Sequence, residues 1–290
     1  MTALEPTLSS QVAEATATLA QAGVASPEWD AQELLAHVLG WGRAALLTRL
    51  TLDPGATLTA QDTERLAGLV ARRAAREPLQ HLTGEATFRY VELAVGPGVF
   101  VPRPETELLA GWAIEAARGV AEPVVVDLCT GSGAIAKAIA DEVPHARVHA
   151  VELSEDAHAW AQRNLEGTGV DLRQGDMASA LEELCGTVDV VVCNPPYIPL
   201  VAWESVATEA RDHDPHLALF SGDDGLEAIR VIANRAARLL KPGGVVGTEH
   251  ADAQGEAVPA IFAAVGCWRE VRDHLDLAGR PRFTTARLAR

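Results

Sequence analysis

The stretch Asn194-Pro195-Pro196-Tyr197 closely follows a β-branched apolar run, Val190 to Val192. A short run of that kind, bounded by turn residues, predicts a buried strand with Asn194 at its carboxyl end. The two prolines fix φ, donate no main-chain hydrogen bond and force an extended turn. What results is a rigid main chain with bare carbonyls beside an amide side chain. A plain strand followed by a polyproline turn would look the same, so the motif needs a second feature beside it.

That feature is the run "VVVDLCTGSGAIAKAIA" upstream. Gly131 and Gly133 let the backbone approach a ligand closely, and the helix that follows presents free N–H groups at its start. With Ala136 the loop also satisfies G-x-G-x-x-A, so a dinucleotide is a rival occupant. Asp127 weighs between them. A carboxylate four residues before Gly131 can order the loop or face a cationic amino acid group, but would be unfavourable beside a pyrophosphate. The balance favours S-adenosylmethionine. Glu152, at the end of the next strand and about 20 residues on, can accept hydrogen bonds from both ribose hydroxyls. Asp176 reads either as an acceptor for an adenine amino group or as a turn residue.

Positioning these groups requires a particular frame. Strand-like runs at Val124–Leu128, Val148–Leu153, Val170–Gln174, Val188–Cys193 and Val245–Glu249 alternate with helical ones, among them Leu226–Leu240 closing in "KPGG". The pattern predicts a mostly parallel sheet with helices on both faces, binding its ligand at the strands' carboxyl ends. A last strand follows Gly279 and is expected at an antiparallel edge. Residues 1–76 read as helices only: Ser26-Pro27 starts one that carries Trp29, Leu34, Leu35 and Val38 to Gly40, and another runs from Thr59 to Arg76. Residues 77–104 alternate apolar and polar around Gly96-Pro97-Gly98 and read as a β-hairpin linker. The expected domains are therefore 1–76, helical; 77–104, linker; and 105–290, the α/β domain.

Bulk properties narrow the partners. The net charge of −16 would repel a phosphate backbone, and the Arg72, Arg73, Arg76 cluster reads as a solvated helix face, so direct nucleic acid binding is not expected. The four cysteines show neither metal-ligand nor disulfide spacing. No apolar run reaches the ~18 residues of a membrane span, and the N-terminus lacks a basic-then-apolar leader, so a soluble cytoplasmic protein without metal is expected.

In order and spacing, "DLCTGSG", "VELS", "GDM" and "NPPYI" resemble a Rossmann-like class I methyltransferase of the amino-methylating group. The chemistry suits it. A planar nitrogen has a delocalised lone pair and is a poor nucleophile. Asn194 Oδ1 and the Pro195 carbonyl can accept its N–H bonds, drain positive charge as the methyl arrives and turn the lone pair toward the sulfonium, with Tyr197 packed on the planar group.

Over nearly the whole chain, "ASPEWDAQELLAHVLG", "REPLQHLTGEATF", "VFVPRPETELL" and "EHADAQGEAV" resemble the release factor glutamine methyltransferases, the HemK/PrmC family. The resemblance implies a helical domain that docks class-one peptide chain release factors, and methylation of N5 of the glutamine in their Gly-Gly-Gln motif. It maps Cys129, Thr130, Gly131, Ser132 and Gly133 onto the cofactor loop, Glu152 onto the ribose acid, and Asn194, Pro195, Pro196 and Tyr197 onto the substrate clamp. Met177 takes the place of an aromatic beside the adenine. Cys129 stands where glycine is usual, which requires a negative φ there, and Glu152 where Asp is common. Arg103 and Glu107 order a lid in this reading, or else form a helix N-terminal turn; His250 lines the pocket or sits in the core. The alternatives are a ribosomal protein glutamine methyltransferase, an adenine-N6 methyltransferase and a non-catalytic docking protein.

Overall fold

The computed structural model describes residues 6–289, apart from the side chain of Ser205. The first five residues of the region expected to be helical lie outside that range. The chain divides into two compact units: one runs to Gly84 and takes in Thr208–His213, the other comprises Glu85–Ala207 and Asp214 onward.

The first unit is helical: α1 Leu8–Gln21, α2 Pro27–Leu39, α3 Arg43–Leu52, α4 Ala60–Ala74 and α5 Leu79–Thr83. Pro27 opens α2 and Gly40 ends it in the left-handed region at φ 65°, where a residue without Cβ is unstrained. Thr59 caps α4 by accepting from the Asp62 N–H. Leu19, Leu34, Leu35, Leu46 and Leu66 are buried in its core. Two expectations need correcting. Trp29 is 49% exposed, outside the apolar stripe, with the Arg43 guanidinium 3.7 Å over its ring. Arg73 is buried, not solvated: it donates to Asp30 at 2.7 Å and, with Arg76, to Glu209. A helix stripe predicts a face, and these two side chains sit at its margins.

The second unit carries the site. The stretch expected as a linker divides between the units, and its hairpin, β1 Glu85–Phe88 with β2 Val91–Ala94, belongs to this one. There follow α6 Thr106–Arg118, β3 Val124–Asp127, α7 Ala134–Glu142, β4 Arg147–Glu152, α8 Glu155–Leu165, β5 Asp171–Gln174 and β6 Val188–Cys193. Then come α9 Thr208–His213 (counted with the first unit), α10 His216–Leu219, α11 Glu227–Leu239, β7 Leu240–Glu249, α12 Ala257–Val265, β8 Trp268–Leu275 and β9 Pro281–Leu288.

The sheet order is β5-β4-β3-β6-β7-β9-β8, parallel through β7 and antiparallel at the β9-β8 end. The expected last strand, β9, lies one place in from that edge, covered by β8. In β8 the apolar Trp268, Val271 and Leu275 are separated by two or three polar residues, and Glu270 has φ 54°, so the period of two is broken. "KPGG" lies inside β7, where the register with β6 jumps. One face of the sheet packs on α6, α7 and α8, the other on α11 and α12, each through a continuous apolar layer. Valines at 125, 126, 190, 191 and 192 are all but inaccessible, as parallel strands covered on both faces require.

Candidate active site

The chain winds outward from β3 through β4 to β5, then returns to place β6 on the other side of β3. Strand order therefore reverses between β3 and β6, and their carboxyl ends form the crevice where such sheets bind ligands. The glycine loop leaves β3 there and Asn194-Pro195-Pro196-Tyr197 leaves β6, from adjoining strands paired at Asp127 and Val192.

The loop is ordered from beneath and from one side. Thr130 Oγ1 donates to Asp127 Oδ2 at 2.7 Å, and Glu152 accepts from Gly131 N through Oε2 and from Ser154 N through Oε1, both at 2.8 Å. Gly131 and Gly133 have φ of 57° and 86°. A Cβ on Gly131 would meet nothing within 4 Å, so the loop faces open space there, whereas one on Gly133 would press Leu165 at 3.0 Å. Cys129 keeps a negative φ, as a non-glycine residue requires. Its Sγ lies 3.5 Å from Met177 Sδ, which places Met177 beside the loop. Asp176 is exposed and accepts from the Ala178 N–H, the geometry of a turn residue. Ser132 is buried, its carbonyl accepting from Asn164 Nδ2 at 2.8 Å.

The clamp is held on all sides. Asn194 Nδ2 donates to Thr106 Oγ1 at 3.2 Å, and Tyr197 Oη to Glu249 Oε1 at 3.2 Å. Gln254 Nε2 donates to the Tyr197 carbonyl at 3.0 Å. Ile198 and Leu200 donate to the Leu219 and Gly222 carbonyls, in the manner of a short extra strand. Among the described residues nothing donates to the Pro195 carbonyl. All of these groups belong to the second unit.

Comparison with known proteins fits this geometry. Residues 11–84 match the family described as the PrmC N-terminal domain, and residues 125–213 match a methyltransferase domain. The release factor glutamine methyltransferase of Streptomyces coelicolor is 61% identical over 97% of this chain and 98% of its own. That of Mycolicibacterium smegmatis is 48% identical over 98% and 99%. The chain belongs to the release factor glutamine methyltransferase family.

A further relative, the 4-amino-L-phenylalanine/4-methylamino-L-phenylalanine methyltransferase of Streptomyces pristinaespiralis, is 43% identical over 92% of this chain and 91% of its own. Among solved structures, the catalytic domain of hMettl16 aligns with a TM-score of 0.52 at 14% identity, over 68% of this chain and 75% of that one. That likeness concerns the fold alone.

In this family member two carboxyl groups stand buried behind the site. Burial pushes Asp127 up to about 7, against the Thr130 hydroxyl bond, with Glu152 adding to the rise. Its Oδ1, faced by the backbone N–H groups of Ala136 and Cys129, completes no hydrogen bond. Asp127 thus orders the loop from below. Burial likewise pushes Glu249 up to about 7, opposed by Thr106, Arg282 and Tyr197. Glu152 is raised too, by burial, despite its backbone donors.

Asn164, Thr106, Glu249 and Gln254 all support the site, as does Gly225, where a Cβ would lie 2.4 Å from the Tyr197 carbonyl oxygen, and none carries a motif of its own. "FVPRPETE" and "EHADAQ" drew notice, but for Arg103, Glu107 and His250. Those three have other partners: Arg103 pairs with Asp214 at 2.6 Å, and Glu107 accepts from the Arg89 N–H at the hairpin turn. His250 is fully buried among Ala251 O, Asp273 and Thr284, and is a core histidine.

Proposed function

We propose that this chain transfers a methyl group from S-adenosylmethionine to the side-chain amide nitrogen of the glutamine in the Gly-Gly-Gln motif of class-one release factors. The observation that carries this reading is the acceptor pair at the end of β6. Asn194 has its NH2 engaged by Thr106, which leaves Oδ1 for a ligand, and Pro195 offers a carbonyl without a donor. The glycine loop stands on the neighbouring strand.

The residues fit the cofactor. Glu152 spends one lone pair of each oxygen on a backbone N–H and keeps the others for ribose hydroxyls. The open face of Gly131 admits a close approach, and Met177 with Cys129 supplies a soft apolar contact for the adenine. When bound, S-adenosylmethionine supplies an electrophilic methyl on a sulfonium. Methyl transfer would exchange the S–C bond for an N–C bond, and the proton that the nitrogen then sheds would pass to solvent water. Asn194 and Pro195 hold the two N–H bonds, so that charge appearing on nitrogen meets two fixed dipoles. Two bare glycines in the substrate motif let its loop enter a narrow cleft.

The Streptomyces pristinaespiralis relative keeps a second reading in play, since an aromatic amine also has a delocalised lone pair and makes the same demand on an acceptor pair. Incubating the protein with labelled S-adenosylmethionine and either a class-one release factor or 4-amino-L-phenylalanine separates the two. The expected result is one methyl on the Gly-Gly-Gln glutamine, located by mass spectrometry. Label on the free amino acid, on a ribosomal protein or on adenine, with release factor unmodified, would overturn the assignment.

A further inference from the structure

A carboxamide can present either its oxygen or its NH2 to a ligand, and only the oxygen accepts an N–H bond. Turned by 180°, Asn194 would set donor against donor at the reacting nitrogen. Something must hold it the right way round, and the clamp sequence contains no such group.

The structure places two residues behind it. Thr106, the first residue of α6, accepts from Asn194 Nδ2 at 3.2 Å; Glu249, the last residue of β7, accepts from Tyr197 Oη at 3.2 Å. Thr106 also faces the Glu249 carboxylate, and its hydroxyl steadies the charged form. Glu249 Oε2 completes no hydrogen bond, although the side chain is 1% exposed. Thr106 is buried as well. A hydroxyl has one proton. The nearby carboxylate favours that proton pointing its way, without completing a hydrogen bond, and this leaves the hydroxyl's lone pairs for the Asn194 NH2.

We propose that Thr106 and Glu249 are positioning residues that fix the Asn194 carboxamide with Oδ1 toward the substrate nitrogen and hold Tyr197 beside it. This rests on the methyl-transfer reading above. The carboxylate acts through Thr106 and Tyr197 and touches no substrate. Its burial is costly, as its raised pKa records, with Arg282 opposing that rise and Glu105 adding to it. A core residue kept only for packing would be neutral.

The test is a double-mutant cycle on the full chain, read by steady-state methylation of a release factor. Thr106→Val keeps the shape and loses the hydroxyl; kcat should fall ~10–100-fold, the scale of a misplaced catalytic contact. Thr106→Ser should restore most of it. Affinity for S-adenosylhomocysteine should stay at the wild-type value for Thr106→Ser and for Glu249→Gln, which should itself lower kcat, and thermal stability should stay at the wild-type value for Thr106→Ser. The deciding readout is the Asn194→Ala background. If Thr106 acts only by orienting Asn194, Thr106→Val adds nothing there. Multiplying losses in that background, or full kcat in Thr106→Val, would overturn the proposal. A wild-type enzyme inert toward release factor fails the functional reading alone. The same cycle is then read with 4-amino-L-phenylalanine, and absence of coupling there also overturns the proposal.

Discussion

The glycine loop and the clamp leave adjoining strands, and each has a buried carboxyl group behind it, Asp127 for one and Glu249 for the other. They are held in different ways. Most of the loop's support comes from near in the chain: Thr130 on Asp127, and Glu152 and Ser154 from the next strand and its turn. Gly131 keeps a face open. The clamp is closed on every side by residues remote in sequence: Thr106, Gly225, Glu249 and Gln254. A cofactor needs a surface to settle on, and a backbone with free N–H groups provides it. A reacting nitrogen needs acceptors that do not move, and only a packed shell supplies those.

This contrast predicts opposite losses from the two sides. Asn194→Ala should keep the affinity for S-adenosylhomocysteine and lose kcat by ~10²–10³, the scale of one preorganised polar contact. Glu152→Ala should do the reverse. It removes charge-assisted bonds and frees the Gly131 N–H, weakening S-adenosylhomocysteine by ~10–100-fold. Calorimetry and single-turnover methylation on both variants decide this. If Asn194→Ala loses cofactor as severely as Glu152→Ala, the division of labour between loop and clamp is wrong.

A gentler probe uses glycines. A Cβ on Gly225 would lie 2.4 Å from the Tyr197 carbonyl oxygen and 2.9 Å from Pro199, at a φ of 74°. On Gly131 it would meet no protein atom. Gly225→Ala should therefore cost about 2–3 kcal/mol, from overpacking plus a left-handed backbone, and Gly131→Ala about 1 kcal/mol from the backbone alone. Thermal melts of both without ligand measure the difference, and equal losses would mean that the clamp yields as readily as the loop.

The same contrast explains what could be read from the chain. Valine runs such as 124–126 and 190–192 announce strands buried on both faces. Glycines at 131 and 133, prolines at 195 and 196, and the acids that end β3 and β4 are local signals, and they mark the sheet edge where the crevice lies. Asp176 shows the limit even there, since turn and ligand acid share one residue type. Thr106, Gly225 and Gln254 gave no signal. Each has an ordinary residue type, and its meaning arises only when α6 reaches the Asn194 side chain and the loop before α11 and the turn after β7 reach the Tyr197 backbone. Arg73 was misread for a related reason: its partners Asp30 and Glu209 lie 43 and 136 residues away. β8 was missed because a broken period hides an edge strand.

The smallest effect concerns the two buried carboxyls. Glu249 rises from the ordinary 4.5 to about 7 on folding, chiefly through burial; Thr106, Arg282 and Tyr197 oppose the rise and Glu105 adds to it. Between those values the folded chain holds a proton that the unfolded chain has released, so stability falls as pH climbs from 4.5 to 7. Above 7 both states are ionised and the deficit is complete. Asp127, also at about 7, contributes a loss of the same sign. Glutamine at 249 is neutral throughout and keeps the shape, so Glu249→Gln isolates one of the two. Its stability relative to wild type should improve by about 1–2 kcal/mol between about pH 5 and about pH 8, less than the full shift implies because pH 5 already lies above the unfolded value. Urea unfolding at the two pH values measures it. An offset that does not change with pH would mean that the Glu249 carboxyl titrates as in the unfolded chain, and that the clamp carries no stored charge behind Asn194.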